Sequence, residues 1–519
     1  MNVLKFSLIC CLLGAVLCGV AQAYEPIGVI DWVHQCGSID RDTSQDMCGN
    51  PDGSFYITGW YENRYDPSIP YTSEPHDFGL RDIFLSKYNS QGDLLWVQSA
   101  GSGHCDVSGA VAALPDGTCA ITGAYGYGTA TCMFGYGQPN LTRLPGIGRF
   151  DVCVAKYDGD GTLQWAKRAG GPEPDFGNDV ALAPDGSVYV AGDYGPSITF
   201  GHGLPNQTIL TNPSPGSGAF FLARYDTDGV FQWAQQERVL QIAALDDGTC
   251  IGTTYPGLAR YAADGTKIWS DEAIATQYAS IAAMPGNEFV IVYSVPFSGV
   301  RVARFHAEND GTVSEVWSFD VPDCSIYYAS AISVRPDGIF SFCGFGGIYT
   351  VAADGSWINN GAIDLYPVAL FAVPSAGYCY FTGGFYSDIT VGDTTLVHKG
   401  SGDFYIARAT NIEKYRITAR CEGSGWIDFH QADAHYWRGE TATLTAVSIF
   451  PGVYEFAEWG GDFAGLTDPD LTFPVIEDMN VTAIFEHVDG APELPAAGFG
   501  GLAVLAAALV ATGVRARRR

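Results

Sequence analysis

Residues 150–165 read FDVCVAKYDGDGTLQW, two short segments of alternating apolar side chains with an Asp-Gly pair between them. Alternation indicates β-strands, and Asp-Gly between two strands indicates a tight hairpin turn. The same arrangement, a strand that in most copies ends on Lys or Arg and then a turn and a tryptophan, recurs along the chain. Its tryptophans are Trp96, Trp165, Trp233, Trp269, Trp317 and Trp357. A hairpin repeated in this way predicts an all-β repeat protein.

A second repeated pattern precedes these hairpins. It reads PDGSFYITG at 51–59, PDGTCAITG at 115–123, PDGSVYVAG at 184–192 and PDGIFSFCG at 336–344, with weaker copies near 246, 285 and 374. Each copy is a turn followed by a strand. Together with the hairpins, it gives units of about four strands, the size of one propeller blade.

Each end of the repeat region contains an incomplete copy of the motif. The seventh Lys/Arg-type strand, GDFYIAR at 402–408, has no tryptophan strand after it, whereas GVIDWV at 28–33 is a tryptophan strand without a preceding partner. If the early strand completes the last sheet, the ring closes and no edge stays exposed. We therefore predict a seven-bladed β-propeller over residues 24–411 rather than an open array with caps at both ends.

The first three units are longer than the later ones, and their extra residues lie at about 61–80, 126–149 and 196–217. These insertions are expected to project from adjacent blades. They contain aromatic side chains suited to recognition, although packing within the blades is the alternative role for each. The residues are Tyr65, Tyr71, Phe78, Tyr127, Phe134 and Tyr136.

On these motifs, the chain resembles the exported bacterial β-propeller repeat family (SBBP type), most closely at 150–165 and 389–408. The resemblance covers about 28–411 and implies the fold and export. Residues 412–488 instead resemble a bacterial repeat module related to divergent internalin B-repeats, through Gly423, Gly425, Trp459-Gly460-Gly461-Asp462 and the closing VTAIF. Such modules act as spacers or adhesive stalks, so this resemblance implies a small β-rich unit after the propeller.

Residues 1–23 have the pattern of a signal peptide: Lys5, an apolar run and Ala21-Gln22-Ala23, with cleavage expected between Ala23 and Tyr24. Of the 14 cysteines, 11 lie beyond this leader. In an oxidising compartment, Cys36 and Cys48, which flank one loop, form the candidate disulfide. Cys119, Cys250 and Cys379 occupy equivalent strand positions and are expected to be buried apolar residues.

The C-terminal region predicts an anchor. Residues 489–497 form a linker with Leu494-Pro495-Ala496-Ala497, 498–514 carry no charge, and 515–519 are rich in arginine. These three parts resemble the LPXTG and PEP-CTERM sorting signals, with a simple tail anchor as the alternative. A transmembrane helix over 498–514 would leave the basic tail on the cytoplasmic side and hold the protein at the cell surface, or release it after processing.

The formal net charge of −30 argues against binding to nucleic acid. Asp158 to Gly161 and Asp226 to Gly229 echo part of a Ca²⁺ loop but fit ordinary hairpin turns better, so no cofactor is predicted beyond possible Ca²⁺. No catalytic motif is present. We therefore predict a monomeric, non-enzymatic binding, adhesion or structural envelope protein that contacts an extracellular protein or glycan. A polysaccharide-active enzyme and a quinoprotein-like dehydrogenase on a propeller scaffold are the competing hypotheses.

Overall fold

The computed structural model describes residues 25–488, except for 27–29, 37–39, 63–77, 215–217, 255, 275–276, 296–298, 322–330, 336–337, 345–346, 356, 363–368, 373–377, 392–393, 399–401, 411–413, 430–434, 438–440 and 476–477. All regular elements among these residues are β-strands. The chain divides into two compact units, residues 1–412 and 413–519. The predicted all-β class is thus confirmed.

The strands of the first unit follow one plan. β1 (Glu25–Pro26) and β2 (Ile30–Cys36) come first. The first sheet holds β3 (Asp42–Gly49), β4 (Phe55–Glu62), β5 (Arg81–Tyr88) and β6 (Leu94–Ala100). The second holds β7 (Val107–Ala113), β8 (Cys119–Tyr125), β11 (Asp151–Tyr157) and β12 (Leu163–Ala169), with the inserted hairpin β9 (Thr131–Phe134) and β10 (Thr142–Pro145). The third holds β13 (Phe176–Leu182), β14 (Val188–Tyr194), β17 (Ala219–Tyr225) and β18 (Phe231–Gln236), with the inserted hairpin β15 (Ser197–Phe200) and β16 (Thr208–Thr211).

The later sheets repeat this plan. The fourth contains β19 (Val239–Ala244), β20 (Cys250–Thr254), β21 (Leu258–Tyr261) and β22 (Lys267–Asp271). The fifth contains β23 (Gln277–Met284), β24 (Glu288–Val295), β25 (Gly299–Ala307) and β26 (Val313–Val321). The sixth contains β27 (Ala331–Val334), β28 (Phe340–Gly344), β29 (Gly347–Val351) and β30 (Trp357–Ala362), and the seventh contains β31 (Ala369–Ala372), β32 (Tyr378–Phe385) and β35 (Asp403–Thr410), with the inserted hairpin β33 (Ile389–Val391) and β34 (Thr394–Leu396).

Each sheet packs against the next one, and the contacts form a closed cycle. The first strands β3, β7, β13, β19, β23, β27 and β31 each contact the first strand of the next sheet, and β31 contacts β3. Neighbouring strands within each sheet are antiparallel, apart from the parallel addition of β1 to β30. Sheets packed face to face around a common centre are the architecture of a repeat β-propeller.

The N-terminal strand completes the last sheet, as predicted. β2 pairs antiparallel with β35, and Trp32 lies opposite Arg408. The same register places Trp96 opposite Lys87 and Trp165 opposite Lys156 within their own sheets. The strand from the start of the chain therefore occupies the position that a C-terminal tryptophan strand fills elsewhere.

The repeated basic residue and tryptophan join each sheet to the next. In the second sheet, Lys156 Nζ donates hydrogen bonds to the Gly186 carbonyl at 2.8 Å and the Thr227 carbonyl at 3.2 Å, both in the third sheet. Trp165 Nε1 donates to the same Thr227 carbonyl at 3.0 Å. Gly229 has a φ of 75° and its Cα faces the Trp165 ring, so a Cβ there would be strained and would collide with the indole. The motif residues thus hold neighbouring sheets together.

The cysteines predicted to be buried are confirmed as core residues. Cys119, Cys250 and Cys379 are fully buried free thiols in three separate apolar clusters. The structure does not join Cys36 to Cys48. Cys36 lies on β2 in a cluster between the seventh and first sheets, whereas Cys48 on β3 packs against a cluster between the first and second sheets, and both are free thiols.

The second unit contains two sheets. A four-stranded sheet has the order β38 (His435–Trp437), β36 (Lys414–Glu422), β42 (Met479–His487) and β40 (Tyr454–Gly461), and a three-stranded sheet has the order β37 (Gly425–Phe429), β39 (Thr441–Ser448) and β41 (Asp470–Pro474). Its core surrounds Trp459, whose buried Nε1 donates to the Asp468 carbonyl at 2.8 Å. Gly425 lies so close to the Phe485 ring that a side chain would collide with it. Three of the residues that carried the resemblance therefore serve packing.

Candidate functional site

The described inserted hairpins of the first unit leave it from one face. We call it the insertion face: the side where the second strand of each sheet leads to the third. Three insertions with described hairpins reach it, at 126–150, 195–218 and 386–402. Two of them also attach to the preceding sheet, because Met133 bridges to Gly101 and Thr199 bridges to Gly170 through paired backbone hydrogen bonds. The hairpins are thus fixed parts of the surface, and rigid surfaces lose little entropy on binding.

Buried carboxyl groups anchor the loops of this face. Asp106 accepts backbone hydrogen bonds from Ser102 at 2.6 Å and from Gly126 at 2.8 Å, at the start of the second-sheet insertion. Asp175, the equivalent residue of the third sheet, accepts one from Gly195 at 3.1 Å. Burial raises the pKa of Asp106 to about 7 and that of Asp175 to about 8. These acids support the insertions rather than face a ligand.

The aromatic residues predicted for recognition divide into two groups. Tyr127 and Tyr136 are about half exposed on the second-sheet insertion, at 51% and 47%. Tyr127 lies beside His104 and Arg149, with ring centroids 6.0 Å apart in the first pair and the guanidinium 5.6 Å from the ring in the second. Phe134, in contrast, is fully buried in the core, and Phe78 is half-buried, with its ring nearly perpendicular to that of Tyr136. Tyr65 and Tyr71 lie outside the described residues.

Other exposed apolar side chains occur on the insertions or next to them. They belong to the insertions of the second, third and seventh sheets or to the residue before β5, and they are Leu80, Ile147, Leu204, Ile209, Tyr386 and Val397. Tyr386 accepts a hydrogen bond from Arg41 at 3.2 Å, which connects the seventh-sheet insertion to the first sheet.

A cleft opens on the insertion face between the first three sheets. Its volume is about 390 Å³, and its lining includes Gln45, Trp60, Ser108, Gly109, Phe176 and Asn178. The residues that line it come from the starts of first strands and the ends of second strands. The sequence motifs include none of these residues as site candidates. Gln45, Gly109 and Asn178 are the extra residues of β-bulges, which leave no clear signal in one sequence.

A second cavity, of about 350 Å³, lies on the axis of the ring, and its described lining comes from the first strands β3, β7, β13, β19, β23, β27 and β31. Two carboxyl groups line it. Asp46 accepts hydrogen bonds from the backbone N–H groups of Met47 and, in the next sheet, Val111, both at 2.8 Å. Asp179 does the same with Val180 at 2.9 Å and Ile242 at 2.7 Å. Each carboxyl therefore joins one sheet to the next.

Both axial carboxyls are hard to ionise. Burial raises the pKa of Asp46 to about 6 and that of Asp179 to about 8, and the charge of Asp46 adds to the effect on Asp179. Both acids accept their hydrogen bonds from backbone N–H groups of the first strands, so they help to hold neighbouring sheets together.

We expect the first unit to lose stability as the pH rises from about 4 to 8. An acid whose pKa is higher in the folded protein stabilises the fold while it is protonated, so this stability is fully present below the unfolded pKa near 4 and is lost as the pH rises through the folded values near 6 and 8. In Asp179→Asn the group cannot ionise, and the pH-dependent loss should shrink by on the order of 3 kcal/mol. Thermal melts across this range test it, and equal slopes for both proteins would contradict it.

Several predicted features lie elsewhere or outside the described residues. Among the residues that the structure describes, no group of three or more His, Cys, Asp or Glu side chains is placed to hold a metal ion. The Asp158 carboxylate instead accepts backbone hydrogen bonds from Asp160 and Thr162 within its turn. The cleavage site at Ala23 and Tyr24 and the apolar segment 498–514 lie outside the described residues, and no helix in the described part is long and apolar enough to span a membrane.

No protein-family model matches the chain. An uncharacterized WD repeat-containing protein of Acanthamoeba polyphaga mimivirus is 24% identical over 265 residues, 41% of this chain and 19% of that protein. The regulatory protein FlaEY of Caulobacter vibrioides is 28% identical over 178 residues, 34% of this chain and 17% of that protein. The alignments thus span less than a fifth of the length of these curated relatives.

The solved structures that are similar to this chain include two whose own chains are covered almost completely. BamB from Moraxella catarrhalis has a TM-score of 0.31 and 13% sequence identity, over 72% of this chain and 93% of that one. A catalytically inactive virginiamycin B lyase from Staphylococcus aureus, crystallised with quinupristin, has a TM-score of 0.38 and 11% identity, over 72% of this chain and 98% of that one.

Proposed function

We propose that this chain is an exported, non-enzymatic binding protein of the cell surface, and that the insertion face of its propeller holds the ligand. The observation that carries the proposal is that exposed aromatic and aliphatic side chains occur on the insertions of three sheets. Tyr127, Tyr136 and Tyr386 are the aromatic members. Recognition surfaces are enriched in such residues, and the fixed hairpins make them available without a large ordering cost.

The rest of the chain has a simple role in this proposal. The head is a monomeric seven-bladed propeller over residues 24–411, supported by seven sheets in cyclic contact and by the β2–β35 pairing. Residues 412–488 act as a spacer of the internalin-like repeat type. Residues 1–23 direct export, and the tail from 489 onward anchors the protein or is processed at a sorting motif, so the head stands outside the cell.

Binding is favoured over catalysis because the buried acidic side chains accept hydrogen bonds from the backbone. Asp46 and Asp179 line the axial cavity, but each is committed to two backbone hydrogen bonds. Asp106 and Asp175 are likewise committed to loop backbones. A polysaccharide-active enzyme would require a pair of carboxyls facing a substrate. A quinoprotein-like dehydrogenase and a structural component without a ligand are competing hypotheses that the binding experiment below also tests.

The combined substitution Tyr127→Ala and Tyr136→Ala is expected to weaken ligand binding by about a hundredfold, because both half-exposed rings would lose their contacts. The full chain would be tested on a glycan array and in a pulldown with extracellular protein fractions, followed by affinity measurement for the ligand found. The double variant Leu95→Ala and Val316→Ala is the control, since both residues are exposed on outermost strands.

Two results would count against the proposal. Unchanged affinity of the tyrosine variant would remove the insertion face as the binding surface. A large thermal shift of the full chain with pyrroloquinoline quinone and Ca²⁺ would favour a quinoprotein-like dehydrogenase instead.

A further inference from the structure

The cleft on the insertion face is built by one irregularity that occurs in three consecutive sheets. The first strands β3, β7 and β13 each contain a β-bulge, and the extra residues are Gln45, Gly109 and Asn178. A bulge turns the side chain of its extra residue out of the regular alternation. All three extra residues line the cleft. Two carboxamides therefore flank a glycine.

Glycines form the floor between these carboxamides. A Cβ at Gly109 would collide with the Gly177 carbonyl, and one at Gly123 would collide with the Val107 carbonyl. Gly177 has no more room, because a side chain there would meet Thr122 Oγ1. Glycine at these positions therefore allows the neighbouring strands to pack closely at the base of the cleft.

The aromatic walls are held in place by their neighbours. The Trp60 ring has the Arg81 guanidinium 4.4 Å and the Arg41 guanidinium 5.3 Å from its centroid, and the Trp60 residue is 5% exposed. Phe176 stacks on Phe150 with ring centroids 5.5 Å apart. Walls that are already ordered cost little further entropy when a ligand binds.

The described residues that line the cleft are uncharged, although the chain carries 57 Asp and Glu residues. No Asp, Glu, Lys, Arg or His is among the described residues that line it. Carboxamides both donate and accept hydrogen bonds, as sugar hydroxyl groups do. Asn178 uses one donor on Asp193 at 2.7 Å, and none of the described residues forms a hydrogen bond with the Gln45 carboxamide.

We infer that this cleft binds one or two rings of an uncharged oligosaccharide, an inference that rests on the proposed binding function. Gln45 and Asn178 bind the hydroxyl groups, and Trp60 and Phe176 contact the apolar faces and edges of the rings. The volume of about 390 Å³ lies at the lower end of the range for ligand cavities, which suits a short saccharide segment. The exposed tyrosines of the insertion face contact the remainder of the saccharide.

Calorimetric titration of the full chain with cellotetraose, mannotetraose, chitotetraose and tetragalacturonate tests the inference. We expect at least one of the three uncharged saccharides to bind, and Gln45→Ala and Asn178→Ala each to weaken that binding about tenfold through the loss of a hydrogen-bonding group. Gln164→Ala is the matched control, because Gln164 is an exposed carboxamide on the outermost strand of the second sheet. Thermal melts confirm that the variants fold.

The outcomes separate the inference from the proposed function. Binding that survives both cleft substitutions but is lost in the Tyr127→Ala and Tyr136→Ala variant would overturn the cleft and support the insertion face. Binding of tetragalacturonate alone, or of a protein partner alone, would also overturn the uncharged-sugar inference while the binding function stands. The lack of any ligand in the titrations, the array and the pulldown would overturn both.

Discussion

A chain that lacks residues 24–36 is expected to lose the cooperative unfolding of its first unit. Without β2, the backbone groups of β35 that pair with it are exposed along one edge, and the seventh sheet has three strands. The loss includes the packing of Trp32 against the turn at Gly92 and the ion pair of Arg408 with Asp31 at 2.8 Å. These losses are comparable to the whole stability of a domain, about 5–15 kcal/mol.

Circular dichroism and calorimetry would show the effect as a broad or absent transition, together with aggregation through the open edge. The control is the same truncated chain with a synthetic peptide of residues 24–36, which should restore the transition by strand addition. A sharp transition near the wild-type temperature in the truncated chain alone would show that β2 does not close the ring.

Trp165→Ala is expected to destabilise the first unit by about 3–4 kcal/mol. Trp165 is 7% exposed, belongs to the cluster between the second and third sheets, and donates a hydrogen bond to the Thr227 carbonyl. Its removal leaves a cavity at the contact between two sheets and exposes the turn at Gly229. Chemical denaturation followed by far-ultraviolet circular dichroism measures the change.

Trp426→Ala serves as the matched control, because Trp426 is 43% exposed and belongs to the second unit. Its removal should cost less than about 1 kcal/mol. If both substitutions had the same small effect, the repeated tryptophan would not be a contact that holds the sheets together.

The sequence was informative wherever a residue recurs with the repeat. Trp32 and Arg408 lie far apart in the chain, yet their places in two incomplete copies of the motif were enough to predict their pairing, which the structure contains. The same logic applied to Cys119, Cys250 and Cys379, whose equivalent positions in different sheets predicted separate burial. A position that recurs with the repeat can be recognised even where the other residues of a unit differ.

The candidate site was much less predictable. Gln45 and Asn178 face the cleft because each is the extra residue of a bulge, and a bulge depends on hydrogen bonding between strands that a single sequence does not show. Asp46 and Asp179 are two acids among 57, and only the folded ring reveals that both reach the axis. Phe134 is an aromatic residue of an insertion and was therefore predicted to serve recognition. It is buried instead, because the hairpin turns its ring inward.

The β2–β35 pairing also has a consequence for how the protein is made. Asp31 and Arg408 are 377 positions apart, so a strand synthesised early must wait for the last strand of the ring before it finds its partner. Contacts so distant in sequence slow folding and prolong the life of partly folded chains. Closure of the ring should therefore be the late, slow step of biogenesis, and the unpaired N-terminal strand is the segment that a chaperone would need to shield.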